Sequence, residues 1–243
     1  MIDDEELARR SMQGCGEMYA AFGRGIAGAE AEVRRPNALG ARIDAEAFNP
    51  FFSSAVVPVG ETPPGDDPAL PFYVWTVETA VPGRVEQPEA ATPVMGLVLA
   101  DFASTGDGTL EIGEPSLGVL GEMNERAYGE TGFSPLARAL RDERFRVYGV
   151  RDGGEFVCVA MTVTVGDDLG IYYVATEESH RRRGLASRLV GALLADARDR
   201  GLRTSTLQAS ADGRRVWMGL GYRRVATMRG YVRPDVAPSH PDS

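Results

Sequence analysis

A short basic run, residues 180–186 with the sequence His-Arg-Arg-Arg-Gly-Leu-Ala, lies between an apolar segment and an amphipathic one. Residues 170–176 before it are rich in β-branched and aromatic side chains and predict a buried strand. After Gly184 the apolar residues recur at helical spacing as far as Ala197, and Gly201 stands where a helix commonly ends. The first N–H groups of such a helix lack intrahelical partners and attract an anion. The run therefore predicts a phosphate-binding loop.

The residue types of this loop suit a pyrophosphate. Gly184 and the small Ala186 allow a close approach to the backbone. Arg181, Arg182 and Arg183 add cationic side chains that can reach phosphate oxygens. An isolated arginine run is more often a solvated helix cap or a nucleic-acid patch. The flanking strand and helix favour the phosphate site here.

The pattern Arg-x-x-Gly-x-Ala of residues 181–186 resembles the acetyl-CoA loop of the GNAT superfamily of N-acetyltransferases. Downstream, residues 207–210 (Leu-Gln-Ala-Ser) resemble the end of that family's next strand. Residues 216–222 (Val-Trp-Met-Gly-Leu-Gly-Tyr) resemble its helix that closes with Leu-Gly-Phe or Leu-Gly-Tyr. The three elements stand in the family's order, and the likeness covers roughly half of the chain.

The resemblance implies an α/β (α+β) GNAT fold with a mixed central sheet, whose two central parallel strands splay apart to admit acetyl-CoA, the co-substrate. A β-bulge before the loop would free backbone groups for the pantetheine arm, and the Val174 N–H is the implied oxyanion donor. The implied cofactor-binding residues are Val174, Ala175, Thr176, Arg181, Arg182, Arg183, Gly184, Leu185, Ala186 and Ser187.

The resemblance leaves the acid and base open. Family members often carry a glutamate or histidine on the strand before the loop, where this chain has Gly170 and Tyr172. Many also carry a tyrosine in the downstream helix, where this chain has Trp217, whose indole N–H can donate a hydrogen bond but not a proton. Tyr222 is a possible substitute, although a packing role is more common for such a residue. The catalytic candidates are Tyr172, Trp217 and Tyr222.

Other residues of interest have more ordinary interpretations. His180 suits a solvent-facing or phosphate-edge position better than that of a base. Trp75 suits either the core or the lining of an acceptor pocket. With two His and two Cys far apart, the sequence offers no metal-ligand set.

The composition indicates a globular chain with its own core. It has 243 residues, 43% of them hydrophobic, a net charge of −9 and a pI near 4.9. This charge argues against nucleic-acid binding and suits cationic acceptors. Cys15 and Cys158 do not suggest a disulfide framework. We expect a cytoplasmic protein, because neither a signal peptide nor a membrane span is evident.

Pattern and turn signals predict three parts of the chain. Residues 104–234 form the GNAT acetyl-CoA-binding catalytic domain, and residues 235–243 form a disordered tail. Residues 1–103 form a smaller N-terminal domain, either a degenerate GNAT-like copy, as in tandem-type GNAT proteins, or an unrelated α/β unit. The two-unit arrangement fails if residues 1–103 contribute strands to the C-terminal sheet.

The expected reaction moves an acetyl group from acetyl-CoA to a primary amine of a small molecule or protein, by direct attack in a ternary complex. One alternative is a catalytically inactive acyl-CoA-binding sensor or partner subunit, which the presence of Trp217 and Gly170 keeps open. Another is transfer of longer acyl chains. The acceptor and the oligomeric state, a homodimer included, are not fixed by the sequence.

Overall fold

The computed structural model describes residues 2–43, 50–65, 67–103, 110–129, 131–211 and 213–234; the predicted tail lies outside them. The helices are α1 (Asp4–Ala27), α2 (Leu117–Tyr128), α3 (Phe133–Ala139), α4 (Leu185–Asp199) and α5 (Arg214–Gly219). The strands are β1 (Glu32–Arg35), β2 (Ala38–Ala41), β3 (Ser54–Val56), β4 (Tyr73–Thr76), β5 (Val85–Val98), β6 (Ile112–Gly113), β7 (Phe145–Asp152), β8 (Glu155–Val165), β9 (Asp168–Thr176), β10 (Thr204–Gln208) and β11 (Arg223–Val232).

The eleven strands form one mixed sheet in the order β1-β2-β3-β4-β11-β5-β10-β9-β8-β7-β6. The pairs β9–β10 and β3–β4 are parallel and the others are antiparallel. Helix α4 crosses over between β9 and β10, as a parallel pair requires. The expected α/β GNAT-type architecture is confirmed.

Helices cover both faces of this sheet. On one face α1, α2 and α3 enclose a core that includes Phe22, Leu120 and Leu136. On the other face α4 and α5 bury Leu189, Leu194 and their neighbours. The sheet therefore separates the helix that follows the phosphate loop from the helices on the opposite side.

Local sequence signals explain where the long helices begin and end. Asp3 accepts a hydrogen bond from the Glu6 N–H at 2.9 Å at the start of α1. Ser116 accepts one from the Val119 N–H at 3.3 Å at the start of α2, which ends at the left-handed Gly129. None of the described helices is both long and apolar enough to cross a bilayer.

The N-terminal part shares the sheet of the C-terminal part. Strand β5 pairs with β10 on one side and with β11 on the other, and β11 also pairs with β4. The predicted boundary at residues 103 and 104 therefore does not divide the sheet, which is the outcome that counts against two separately packed units. Turn signals fall between residues 81 and 93, but β5 runs straight through most of that segment. The likeness of residues 1–103 to a degenerate GNAT copy stays a prediction.

Candidate active site

The two central parallel strands separate partway along their length. Strands β9 and β10 pair only from Asp168 with Thr204 to Gly170 with Thr206. Beyond this point β9 continues through Thr176, whereas β10 ends at Gln208. The gap is the splay that a pantetheine arm would need.

A β-bulge lies in β9 beside this gap. Val159 of β8 is opposite Ala175 and Met161 is opposite Tyr172, so Tyr173 and Val174 together face a single residue. Tyr173 has a φ of +50°, which is uncommon for a non-glycine residue. The bulge places Val174 at the gap, where the resemblance puts the oxyanion donor.

Side chains of α2 hold the carbonyl groups of the bulge. The Asn124 Nδ2 group donates to the Tyr173 carbonyl oxygen at 3.1 Å. The Tyr128 hydroxyl donates to the Val174 carbonyl oxygen at 2.8 Å. The strained bulge is thus held by a neighbouring helix, which is how sparsely populated backbone conformations persist.

The three predicted β9 residues have different environments. Val174 lines the central cavity. Ala175 is buried and paired with Val159, and Thr176 is paired with Cys158, to whose Sγ its hydroxyl donates at 3.3 Å. Val174 is therefore the one of the three that contributes to the cavity wall in the described structure.

The loop presents an uncapped helix N-terminus. Gly184 precedes α4 in the left-handed region, with a φ of +71°, and no side chain caps the helix there. Arg182 also has a positive φ, of +61°. Arg188 N–H makes the first helical hydrogen bond, to the Gly184 carbonyl oxygen at 3.0 Å. The N–H groups of residues 185–187, which precede this bond, suit phosphate oxygens.

The three arginines of the loop differ in role. Arg181 donates from Nε to the Thr176 carbonyl oxygen at 3.2 Å and from Nη2 to the Ala127 carbonyl oxygen at 3.1 Å, so it ties the loop to α2. Arg182 and Arg183 are exposed. The Arg183 Nη1 atom lies 3.7 Å from an Asp152 carboxylate oxygen. Of the three, Arg182 and Arg183 are placed to meet a phosphate.

His180 lies at the outer end of the loop, as its position in the sequence suggests. Its Nε2 atom lies 3.3 Å from the same Asp152 carboxylate, and its Nδ1 atom lies 2.8 Å from the Ser179 hydroxyl. The ring is outside the cavity lining. His180 is therefore not among the cavity residues of the described structure.

A cavity of about 410 Å³ opens at the splay. Val174 and Leu207 line it from the two separated strands, and Trp217 from α5. Phe51 and Trp75 line it from the N-terminal part of the chain. One cavity therefore connects the gap between the strands with side chains that precede the loop by more than a hundred residues.

The structure separates the three catalytic candidates. Tyr172 and Trp217 line the cavity, whereas Tyr222 is not part of the lining. Tyr222 is packed on the α4 side of the sheet with its hydroxyl 2.6 Å from the Ser205 Oγ atom, and burial raises its pKa. Tyr222 is thus placed as a packing residue.

Burial keeps the Tyr172 phenol and the Cys15 thiol neutral. Desolvation raises the pKa of Tyr172 well above its usual value. It also raises the pKa of Cys15 to about 12. The Tyr172 hydroxyl has no hydrogen bond of good geometry among the described residues. The nearby Gln208 side chain lowers the Tyr172 pKa, but by less than burial raises it. Neither group is a base at neutral pH.

Two carboxylates line the same cavity, those of Glu89 and Glu125. Glu125 accepts from the Ser134 N–H at 2.9 Å and from its hydroxyl at 2.6 Å. Desolvation acts to raise the Glu125 pKa, but hydrogen bonds from Ser134 and its neighbours lower it on balance. Glu125 of α2 thus holds the start of α3.

Sequence reasoning missed Asn124 and Phe51 as cavity residues. Asn124 could have been found, because it falls on the same face of the predicted helix as Leu120 and Ala127 and is a polar residue in an apolar stripe. Phe51 carries no such signal, since nothing local shows that its segment reaches the cavity. Trp75 fulfils both expected roles: its ring lines the cavity, and its buried N–H donates to Ser54 Oγ at 2.9 Å.

Comparison with known structures shows the fold over nearly the whole chain. A GCN5-related N-acetyltransferase from Kribbella flavida superposes with a TM-score of 0.62 at 18% identity, covering 93% of this chain and 95% of that one. A putative acetyltransferase from the GNAT family of Novosphingobium aromaticivorans superposes with a TM-score of 0.55 at 21% identity, covering 88% and 95%. No protein of curated function matches the sequence.

Residues 119–222 match the model of the acetyltransferase (GNAT) family, and this range includes α3, the splayed strands, the bulge and the loop. The chain therefore contains a GNAT acetyltransferase domain at residues 119–222.

Proposed function

We propose that this protein is an N-acetyltransferase that moves an acetyl group from acetyl-CoA to the primary amine of a small molecule or protein, by direct attack in a ternary complex. The GNAT acetyltransferase domain supports acyl transfer. The observation that carries the proposal is the cavity, because the bulge that flanks the splay and the side chains of α1 and α2 line the same space. Two reactants entering from opposite ends would meet at Val174.

The residues present suit acyl-CoA. The uncapped start of α4, with Arg182 and Arg183 beside it, suits a pyrophosphate. The splay next to Val174 suits an extended pantetheine arm that pairs with backbone groups as an added strand would. Bound acetyl-CoA supplies a thioester, whose carbonyl carbon is already reactive toward an amine.

The task of the protein is then alignment and charge stabilisation. The Val174 N–H is our candidate for stabilising the oxyanion that develops on the acetyl oxygen. The nitrogen of the neutral amine forms a C–N bond with the acetyl carbon as the C–S bond breaks. One of its two N–H protons stays in the amide product, and the other ends on the departing sulfur. Trp217 can donate a hydrogen bond to that sulfur but supplies no proton, so we assign the proton transfer to water.

The cellular compartment forms part of the same proposal. Cys15 and Cys158 are both buried free thiols. Reduced thiols are usual in the cytoplasm. We therefore place the enzyme there.

Calorimetric titration with acetyl-CoA, CoA and longer acyl-CoAs, followed by an assay of CoA thiol release with a panel of amines, tests this function. We expect micromolar binding of acetyl-CoA and amine-dependent thiol release. Binding of acetyl-CoA without thiol release for any amine of the panel would indicate an acyl-CoA sensor and not an enzyme. Tighter binding of longer thioesters would indicate transfer of a longer acyl group. If none of these CoA compounds binds, the proposed cofactor site is rejected.

A further inference from the structure

The wall of the cavity that faces away from the loop is largely aromatic. We call this surface the aromatic wall; it consists of Tyr19, Phe51, Phe52, Trp75, Phe133 and Tyr173. In the order Trp75, Phe51, Phe52, Phe133 and Tyr173, each ring contacts the next at centroid distances of 5.4, 5.6, 5.7 and 4.1 Å. The contacts run without interruption from the N-terminal strands to the bulge at the splay.

Tyr19, Phe52, Trp75 and Phe133 are buried, so within the aromatic wall Phe51 and Tyr173 offer a ligand ring a place to pack. Phe51 is 37% exposed although it is a large apolar residue, and it touches both Trp75 and Tyr19. Aromatic rings favour offset-stacked or edge-to-face contact with a further ring. A flat apolar body is therefore the complement of this surface.

A buried acceptor atom, Asn124 Oδ1, lies at the bulge end of the aromatic wall. Asn124 is 3% exposed, and its Oδ1 atom has no hydrogen-bond partner in the described structure. Its Nδ2 group donates to the carbonyl oxygens of Leu120 and Tyr173 at 2.9 and 3.1 Å. The amide cannot be reversed, because reversal would set Oδ1 against two carbonyl oxygens.

The unpaired Asn124 Oδ1 atom would be satisfied by a hydrogen-bond donor on a ligand. A buried oxygen without a partner is destabilising until a donor reaches it. Asn124 lines the cavity and holds the carbonyl of Tyr173, the residue next to Val174. An N–H donor bound to Oδ1 would thus lie close to the proposed oxyanion site.

The charge of the cavity agrees with an amine. No arginine is among the described residues that line it, whereas Glu89 and Glu125 are. An ammonium group would enter this space without meeting a like charge.

Building on the proposed function, we infer that the acceptor is a primary amine on a flat aromatic body, an arylalkylamine, whose ring packs against the aromatic wall and whose amine N–H donates to Asn124 Oδ1. The amine enters protonated and loses one proton to solvent. Its nitrogen forms the C–N bond with the acetyl carbon, the C–S bond breaks, and the second proton ends on the CoA sulfur.

The test compares 2-phenylethylamine with n-butylamine, which lacks the ring, in the thiol-release assay and in calorimetric binding. We expect kcat/KM for 2-phenylethylamine to exceed that for n-butylamine at least tenfold, and its binding to be correspondingly tighter. Equal values, or a preference for n-butylamine, overturn the inference while leaving acetyl transfer intact. Failure of acetyl-CoA to bind removes both the function and the inference.

A matched pair of variants locates the ring. Phe51→Ala removes a partly exposed residue of the aromatic wall, and Ile112→Ala removes an equally exposed residue, 38% against 37%, of the distant strand β6. We expect Phe51→Ala to lower kcat/KM at least tenfold for 2-phenylethylamine but less than threefold for n-butylamine, and Ile112→Ala to change neither. Equal losses for both amines would contradict packing of the ring on Phe51.

Two near-isosteric inhibitors test the acceptor atom without disturbing the fold. 2-Phenylethanol carries an O–H donor, and 2-phenylethyl fluoride has none. If Asn124 Oδ1 receives a donor, the alcohol should compete with 2-phenylethylamine at least about fivefold more strongly than the fluoride. Equal competition would remove Asn124 from the acceptor site.

Discussion

The Arg181 side chain donates from Nε to the carbonyl oxygen of Thr176, five residues earlier, at 3.2 Å. The same guanidinium reaches the Ala127 carbonyl at the end of α2. It thus joins the end of β9, the loop and α2, a helix on the opposite face of the sheet from α4. This contact assigns Arg181 a structural role within a run of three arginines that the sequence alone treats alike.

Substitution of Arg181 and Arg182 should therefore have different effects. Arg181→Ala leaves two carbonyl groups without their donor, so we expect a loss of about 1–2 kcal/mol in the free energy of unfolding together with weaker acetyl-CoA binding. Arg182→Ala should weaken binding, most at low salt, with no change in stability. Urea unfolding and calorimetry measure the two effects. Equal stability of the two variants would contradict the distinction.

Gly184 combines a left-handed backbone with the start of α4, and Gly201 provides a matched control. Both have positive φ, +71° and +87°, and an added Cβ would meet nothing within 4 Å at either position. Gly184→Val and Gly201→Val should then each cost about 1–2 kcal/mol of stability or more through backbone strain.

The two glycine variants should differ in acetyl-CoA binding. Only Gly184→Val sets a side chain where a pyrophosphate would approach, so we expect it alone to lose acetyl-CoA binding, measured by calorimetry. If both variants bind with similar affinity, the loop is not the phosphate site.

Changing Tyr222 or Tyr172 to Phe should have different effects on the free energy of unfolding. The Tyr222 hydroxyl is hydrogen-bonded to Ser205, so Tyr222→Phe should lose about 1 kcal/mol of stability and leave kcat unchanged. The Tyr172 hydroxyl is buried without a well-formed hydrogen bond, so Tyr172→Phe should be neutral or slightly stabilising. A loss of kcat in Tyr222→Phe alone would return that residue to the catalytic candidates.

The sequence predicted the elements around the loop because their signals are local. The residue types of 170–176 predicted β9, and the helical spacing of apolar residues after Gly184 predicted α4. The position of β5 between β10 and β11 was not predictable in this way. Strand order depends on pairing between segments more than a hundred residues apart, and no short-range pattern encodes it.

The residues of the candidate site show the same difference between local signals and long-range packing. Val174 and Gly184 follow from a motif, whereas Arg181 lies in the motif but is engaged by Thr176 and Ala127. Phe51 reaches the cavity only through tertiary packing. The positions of the motif residues were thus predictable from the sequence, whereas this part of the cavity wall needed the fold.

Asp168 is a buried carboxyl that accepts hydrogen bonds from the Thr204 and Thr206 hydroxyls at 2.6 and 2.7 Å. Burial raises its pKa to about 6, against the effects of both threonines and of Arg10 from α1, and the neighbouring Asp167 adds to the rise. Since the pKa is higher in the folded state than in the unfolded chain, folding binds a proton between about pH 4 and 6. The contribution of Asp168 to stability is therefore most favourable below this range and declines as the pH rises through it.

Asp168→Asn removes this titration while keeping a side chain of the same shape. We expect the free energy of unfolding of the native protein, relative to that of the variant, to fall by up to about 3 kcal/mol between pH 4 and pH 7, because a shift of one pKa unit corresponds to about 1.4 kcal/mol. Urea unfolding of both proteins across this range measures the difference. A difference that stays constant with pH would show that folding does not raise the pKa of Asp168, because Arg10 and the two threonines offset the effect of burial.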